Sequence, residues 1–363
     1  MKSMALRVGV VGVPFPNGIG MVHASCYAKD KLAKLVAVCD IVKERADGAA
    51  KEFGVNAYYD VAEMLEKEPE LDIVDVCTGG NENGSLHYEP TMQALEAGKH
   101  VLVEKPLSND IVEAREMVAK ARQKGLYLGC NLNHYFTPPA ERAKKYMEDG
   151  EIGELVYCLH KMGFQGGERT YGGPSPSPRV RGFPYFHVKA FLTHPFSVMR
   201  HFCGDVTHVQ AFFGRPSYRV KAGDEMLSIN SIHVKFANGC VGYLLSTRGD
   251  TTMGLGGWWS VEVGGTLGTF CIENCVEKVT FWAAPKDQSA LVQPKTTSWG
   301  TTDFNLTFPN RIHAFLEDVA AGVPPEKLRA SGRDALAALE YTWAAIESYE
   351  RGGALVTPHP LPS

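Results

Sequence analysis

Along the first 130 residues, short β-branched apolar runs alternate with stretches of helical periodicity. Leu6 to Val13 (Leu-Arg-Val-Gly-Val-Val-Gly-Val) breaks into Pro14, Pro16, Asn17 and Gly18, the pattern of a buried strand entering a turn. Ile19 to Ala28 then predicts a helix, Leu35 to Cys39 a strand and Ile41 to Phe53 a helix. The alternation continues through Ala62 to Lys67, Ile73 to Cys77, Tyr88 to Ala97, His100 to Val103, Asn109 to Lys124 and Tyr127 to Cys130. Short links and a βαβα rhythm specify a parallel sheet with helices on both faces.

Beyond residue 130 the pattern shifts to strands: Leu155 to Lys161, Val206 to Phe213, Ser228 to Phe236, Gly242 to Thr247, Ser260 to Gly264, Gly268 to Glu273 and Lys278 to Trp282. They predict a second domain with a mainly antiparallel sheet. Apolar residues at helical spacing in Asn310 to Ala321 and Arg333 to Arg351 predict two closing helices. The expected division is residues 1–130 as a doubly wound α/β domain and 131–363 as a second α/β domain. A length of 363 residues accords with two cores. Gly163 to Pro184 is too long for a mere connector and is rich in Gly, Pro, Ser, Arg and aromatics, as loops that cover sites often are.

Composition narrows the classes. A formal charge of -4, from 37 Lys plus Arg against 41 Asp plus Glu, and the lack of a long basic run argue against a nucleic-acid partner. No run of about 18 apolar residues would span a bilayer as a helix, and Arg7 breaks the N-terminal run, so neither a membrane span nor a signal peptide is expected. The nine cysteines carry no C-x-x-C pair and read as reduced, which points to the cytoplasm; no metal site is expected.

A dinucleotide site requires a strand, a glycine-lined turn, a helix N-terminus facing the pyrophosphate and an acid at the end of the second strand. Gly12 closes the first strand, Gly18, Ile19 and Gly20 open the helix, and Asp40 ends Leu-Val-Ala-Val-Cys-Asp, twenty residues beyond Gly20. The turn holds about three more residues than a plain G-x-G-x-x-G, in Val13-Pro-Phe-Pro-Asn-Gly18. A carboxylate at Asp40 would accept ribose hydroxyls and repel a 2′-phosphate, and Ile41 offers no cation to neutralise one. NAD is therefore expected over NADP, with Lys43 and Arg45 close enough in sequence to weaken the preference. Thr78, Gly80 and Asn81 stand at another strand's C-terminal edge, within reach of the same cofactor.

Val101-Leu-Val-Glu-Lys-Pro106 puts Glu104 and Lys105 at the ligand-binding edge of a parallel strand. With the glycine turn and His23 after it, Asp40, the Asp72 to Thr78 strand with His87 beyond it, and Gly150-Glu-Ile-Gly153, the chain resembles the Gfo/Idh/MocA oxidoreductases over nearly its whole length. The resemblance implies a Rossmann domain, a second α/β domain with an open sheet, and a homo-oligomer, dimer or tetramer. It also implies that His87, Glu104 and Lys105 border the cofactor and that Lys105 contacts the reacting hydroxyl. An ammonium there can hold the substrate oxygen as hydride leaves.

The family's second motif is an Asp four residues before a His. Here His194 fits and Ala190 stands in place of the Asp, with Lys189 or His187 available for that space. His194 is the expected general base. His187, His194, His201 and His208 recur every seven residues, but Pro195 interrupts the run, His208 lies in the next strand and no acid accompanies them, which disfavours a metal. Asn131, Asn133, His134 and Tyr135 follow the last Rossmann strand and are candidates to hold substrate hydroxyls.

Phe164, Tyr171, Arg179, Arg181, Phe183, Tyr185 and Phe186, with Trp258 and Trp259, offer aromatic planes and cations suited to sugar rings or aryl aglycones. The expected reaction is oxidation of a ring hydroxyl in a sugar, glycoside or cyclitol, with position three of a glucoside favoured over inositol because of Ala190. Other members of the resembled family suggest two alternatives, a redox-neutral NAD-dependent glycosidase and a cofactor-binding regulator; retention of Lys105 and His194 argues against the second.

Overall fold

A computed structural model describes residues 5–80, 82–163, 182–251, 254, 257–285, 287, 292–300 and 303–362. The chain divides into two units: residues 1–133 with 307–336 and 361–363, and residues 134–306 with 337–360. Among the described residues no helix is long and apolar enough to cross a membrane.

The first unit runs β1 (Leu6–Val11), α1 (Ile19–Lys29), β2 (Ala33–Cys39), α2 (Lys43–Phe53), β3 (Asn56–Tyr58), α3 (Val61–Lys67), β4 (Ile73–Val76), α4 (Tyr88–Glu96), β5 (His100–Val103), α5 (Ile111–Lys124) and β6 (Leu128–Cys130). The strands form one parallel sheet in the order β3-β2-β1-β4-β5-β6. Strand order reverses between β1 and β4, the switch point at which doubly wound sheets take ligands. Both faces are covered, so the strands read as continuous apolar runs: Val8, Val10, Ile73, Val74, Val101 and Leu102 have no exposed surface. Asp60 and Asp110 cap α3 and α5 through their carboxylates, and Gly54 and Gly125 end α2 and α5 in the left-handed conformation.

The second unit holds α6 (Pro138–Glu148), β7 (Leu155–Gly163), α7 (Phe186–Phe191), α8 (Thr193–Cys203), β8 (Val206–Gly214), α9 (Ser217–Lys221), β9 (Ile229–Phe236), β10 (Val241–Thr247), β11 (Trp259–Gly265), β12 (Gly268–Glu273), β13 (Lys278–Ala283) and β14 (Lys295–Ser298). Its sheet has the order β14-β13-β12-β11-β7-β10-β9-β8, antiparallel except where β10 lies parallel to β7. Burial alternates along β11, where Trp259, Val261 and Val263 face the core. Tyr146 of α6 stacks on Phe281 of β13 at 4.5 Å, and Phe202 of α8 meets Phe270 of β12 edge-on at 5.1 Å.

The closing helices depart from the expected division. Residues 307–336, placed by sequence in the second domain, group with the first unit. The reason is the stripe Ile312, Phe315 and Leu316 on α10 (Thr307–Ala321), which is buried in one cluster with Val8, Tyr27 and Ile73. Fully buried Arg311 donates from Nε to the Cys130 carbonyl at 3.0 Å and from Nη2 to that of Ala330 at 3.1 Å, fastening α10 to the end of β6. α11 (Gly332–Glu350) begins in the first unit and continues in the second.

Candidate active site

The nucleotide turn is built by close approach. A Cβ on Gly20 would lie 1.9 Å from the Gly12 carbonyl oxygen, and one on Gly12, at φ 87°, would lie 2.7 Å from the Thr78 nitrogen. Only glycine lets strand, turn and helix meet there. The longer turn folds back on α2, since a Cβ on Gly48 would strike the Phe15 ring at 2.5 Å, while Pro14 packs over Gly18. The extra residues are thus anchored within their own unit, Phe15 against α2 and Pro14 against the N-cap of α1.

Among the described residues, α1 has neither a side-chain cap nor an acid in its first turn, which leaves its amide end for an anion. Asp40 is buried at the end of β2, and its Oδ1 accepts from Val42 N at 2.9 Å. Ile41 beside it is 85% exposed. The crowded glycines, the uncapped α1 and a carboxylate held at the ribose position fit a dinucleotide. Ile19 lies on the exposed side of the turn, and Gly80 stands beyond β4 at φ 114°. Asn81 lies outside the described residues.

Glu104-Lys105-Pro106 follows β5 on the same sheet edge. From Val101 to Ser108 every residue is buried except Lys105. The Lys105–Pro106 peptide is cis. Glu104 is occupied by donors: Oε2 takes the Lys105 N–H at 3.1 Å, and Oε1 faces His23 Nε2 at 3.0 Å and accepts from Asn131 Nδ2. Burial alone would raise its carboxyl; the bonds and charge of His23, the Lys105 charge and the Asn131 bond overcome this and hold it at about 2. His87 lies with Nδ1 2.8 Å from the Pro106 carbonyl and Nε2 2.7 Å from the Thr78 carbonyl, and burial pushes its imidazole down. Both ring nitrogens of His87 being engaged with backbone, its side chain braces the loop after β4 against Pro106.

In the second unit, the His194 ring, on the first turn of α8, lies face to face on His134, with centroids 3.7 Å apart and planes within 1°. Trp259 Nε1 donates to His134 Nδ1 at 3.1 Å. An indole nitrogen can only donate, so His134 carries its proton on Nε2 and is neutral. Ala190, buried on α7, offers no acceptor to His194 from one turn back.

The other sequence candidates take separate places. His187 is buried on α7 with Nε2 3.0 Å from Ser246 Oγ, and burial lowers its pKa well below the ordinary value. Lys189 lies over the Trp343 ring at 5.0 Å. Tyr135 stacks on His201 at 4.4 Å, and Asn133, in the first unit, donates from Nδ2 to Thr307 Oγ1 at 2.7 Å. The histidine periodicity is divided between α7, α8 and β8.

Trp259 is fully buried, so it stacks on no ligand, contrary to expectation. Phe186 and Phe183 pack with Met226 in a small core, and Tyr185 donates to Glu350 Oε1 at 2.8 Å. Phe164, Tyr171, Arg179 and Arg181 lie outside the described residues. Sequence reasoning passed over Asp75, for which the signal was an acid inside the apolar strand Ile-Val-Asp-Val.

A Rossmann sheet with a crowded glycine turn, a buried carboxylate at the end of β2 and a half-buried lysine on the same edge is the arrangement of an NAD-dependent oxidoreductase of the dehydrogenase class. The chain belongs to the Gfo/Idh/MocA family: the model described as the oxidoreductase family with an NAD-binding Rossmann fold matches residues 6–132, and that of the family's C-terminal domain matches residues 140–271. It is 34% identical over 215 residues to the D-glucoside 3-dehydrogenase of Escherichia coli, a match covering 54% of this chain and 59% of that protein. It is 26% identical over 355 residues to the myo-inositol 2-dehydrogenase of Thermotoga maritima, covering 95% and 96%. The crystal structure of an NAD binding oxidoreductase from Klebsiella pneumoniae has the same fold, with a TM-score of 0.85 at 23% identity over 98% of this chain and 99% of that one.

Proposed function

We propose that the protein oxidises a secondary ring hydroxyl of a sugar, glycoside or cyclitol to the ketone, with position three of a glucoside the favoured target. The observation that carries this is Lys105, the one side chain of its motif reaching solvent, on the sheet edge that also holds the nucleotide turn. The 34% identity to a D-glucoside 3-dehydrogenase and the Ala190 substitution support the glucoside preference.

When bound, NAD supplies the hydride acceptor. Gly12, Gly18, Ile19 and Gly20 receive its pyrophosphate against α1, and Asp40 with Ile41 receives the adenosine ribose. Thr78, Gly80, Asn81 and the backbone at Glu104 border the nicotinamide side. Lys105 holds the substrate oxygen by an ammonium hydrogen and stabilises its alkoxide character. His194 takes the hydroxyl proton, and the neutral His134 ring stacked on it keeps its plane fixed. His134 is the further side chain for substrate hydroxyls, while Asn133, Tyr135, His187 and Lys189, engaged with Thr307, His201, Ser246 and Trp343, support the surrounding structure. The protein works as a cytoplasmic homo-oligomer.

The test is reduced-cofactor formation from NAD or NADP with a panel of free sugars, inositols and aryl glycosides. Wild type yields NADH with at least one class, and Lys105→Ala loses it by roughly a hundred-fold or more. NAD binding with no NADH from any compound, and cleaved glycoside instead, overturns the dehydrogenase reading.

A further inference from the structure

Behind the Glu104-Lys105-Pro106 edge lies a charged group that the reaction above does not use. His23, on α1 three residues beyond Gly20, has no exposed surface. Its Nδ1 is 2.8 Å from Asp75 Oδ2 on β4 and its Nε2 is 3.0 Å from Glu104 Oε1 at the end of β5. The remaining partners of both carboxylates give hydrogens: Asp75 Oδ1 accepts from the Cys77 thiol at 3.3 Å, and Glu104 accepts from Asn131 Nδ2 and the Lys105 N–H. Each carboxylate is thus free to accept from the ring nitrogen facing it, and the doubly protonated imidazole is the form of His23 that satisfies both contacts.

We propose that His23 is a positioning residue for catalysis, a buried imidazolium clamped between Asp75 and Glu104 that fixes the Glu104 carboxylate and, through it, the backbone presenting Lys105. The inference rests on the role given to Lys105 above. Charges close within the cluster: two carboxylates are balanced by His23 and the neighbouring Lys105 ammonium. The other titratable groups facing His23, the Cys77 thiol and the Cys26 thiol and Tyr27 hydroxyl of α1, are all held protonated by burial. Burial opposes the charged ring, and the charge of Asp75 with its hydrogen bond outweighs it, so the imidazole is raised well above its ordinary value.

His23, Asp75 and Cys77 place ligand atoms within 4.8 Å of one another, as a metal site would. Their contacts of 2.8 and 3.3 Å are those of hydrogen bonds, and the far ring nitrogen is committed to Glu104. Because His23 belongs to the helix that starts at the glycine turn, the clamp ties the cofactor helix to the lysine strand across β4.

The proposal is tested in two ways on the full-length protein. The first is the ¹⁵N spectrum of the wild-type imidazoles. His23, assigned by its loss in His23→Gln, shows both nitrogens protonated at pH 7; a neutral tautomer at pH 7 overturns the clamp. The second is steady-state kinetics of His23→Gln with the substrate that the panel identifies. Misplacing a catalytic group by an ångström costs on the order of a hundred-fold, so kcat falls by roughly that factor while substrate KM and NAD affinity move less than about two-fold. Equal loss in KM and NAD affinity, or an unchanged kcat, overturns the positioning role. Should His23→Gln not fold, Asp75→Asn carries the same kinetic test. If Lys105→Ala retains turnover, the functional reading fails while the imidazole spectrum is untouched, so the two failures are distinct.

Discussion

Trp259 can give only the hydrogen on its indole nitrogen, and it gives it to His134 Nδ1 at 3.1 Å. That bond decides the tautomer of the ring on which His194 is stacked. A neutral, fixed imidazole beneath the general base proposed above holds its plane and offers a π face to the imidazolium that would form on proton uptake. In Trp259→Phe the ring is nearly replaced but the donor is gone, and His134 is free to protonate on Nδ1. We expect a stability loss of about 1–3 kcal/mol from the unmade bond. The acid limb of kcat/KM against pH should also move, with roughly a ten-fold lower plateau. A pH profile that superimposes on wild type, with stability alone changed, would mean that Trp259 only packs.

At the scale of elements, α10 shows what lies beyond local pattern. Its apolar spacing predicts a helix, but nothing in residues 307–321 says which sheet they cover; that follows from Phe315 meeting the backbone of Gly129, which has no side chain to keep it away. Truncating Phe315 to Ala should cost about 3–5 kcal/mol. The loss should appear in urea unfolding of the first unit, followed by NAD binding, and an unchanged midpoint would contradict the packing.

The Rossmann elements other than the three-residue β3 were legible because each is a local period bounded by a cap or a glycine. α6 was not, although Thr137 caps it and Pro138 and Pro139 take its first turn, the positions that prolines favour. β14, Lys-Thr-Thr-Ser, is an exposed edge strand with no apolar face to betray it. At the candidate site, Glu104 and Lys105 stood out as one contiguous motif on a strand end. The clamp around His23 joins positions 23, 75, 104 and 131, which only the folded sheet brings together.

For the molecule as a whole, the buried histidines set the response to acid. In the second unit, burial pushes His160 down to about 4, and burial with the Lys144 charge pushes His201 down to about 3. Unfolded, both titrate near 6.5. Between that value and about 4 the unfolded chain binds protons that the folded chain refuses, so stability falls as pH falls, by about 1.4 kcal/mol per pH unit for each such group. Glu104, held at about 2, adds its own loss only below its unfolded value near 4.5. His23 has the opposite sign: its contribution is full below the unfolded value near 6.5 and is lost as pH rises from there through its raised folded value. The window from pH 6.5 to 4.5 therefore belongs to the neutral histidines. His201→Phe keeps a ring against Tyr135 and removes one titrating group. Reversible urea unfolding of that variant over this window should show a slope of stability against pH shallower by one proton than wild type, and an identical slope would mean that His201 is already charged in the folded protein.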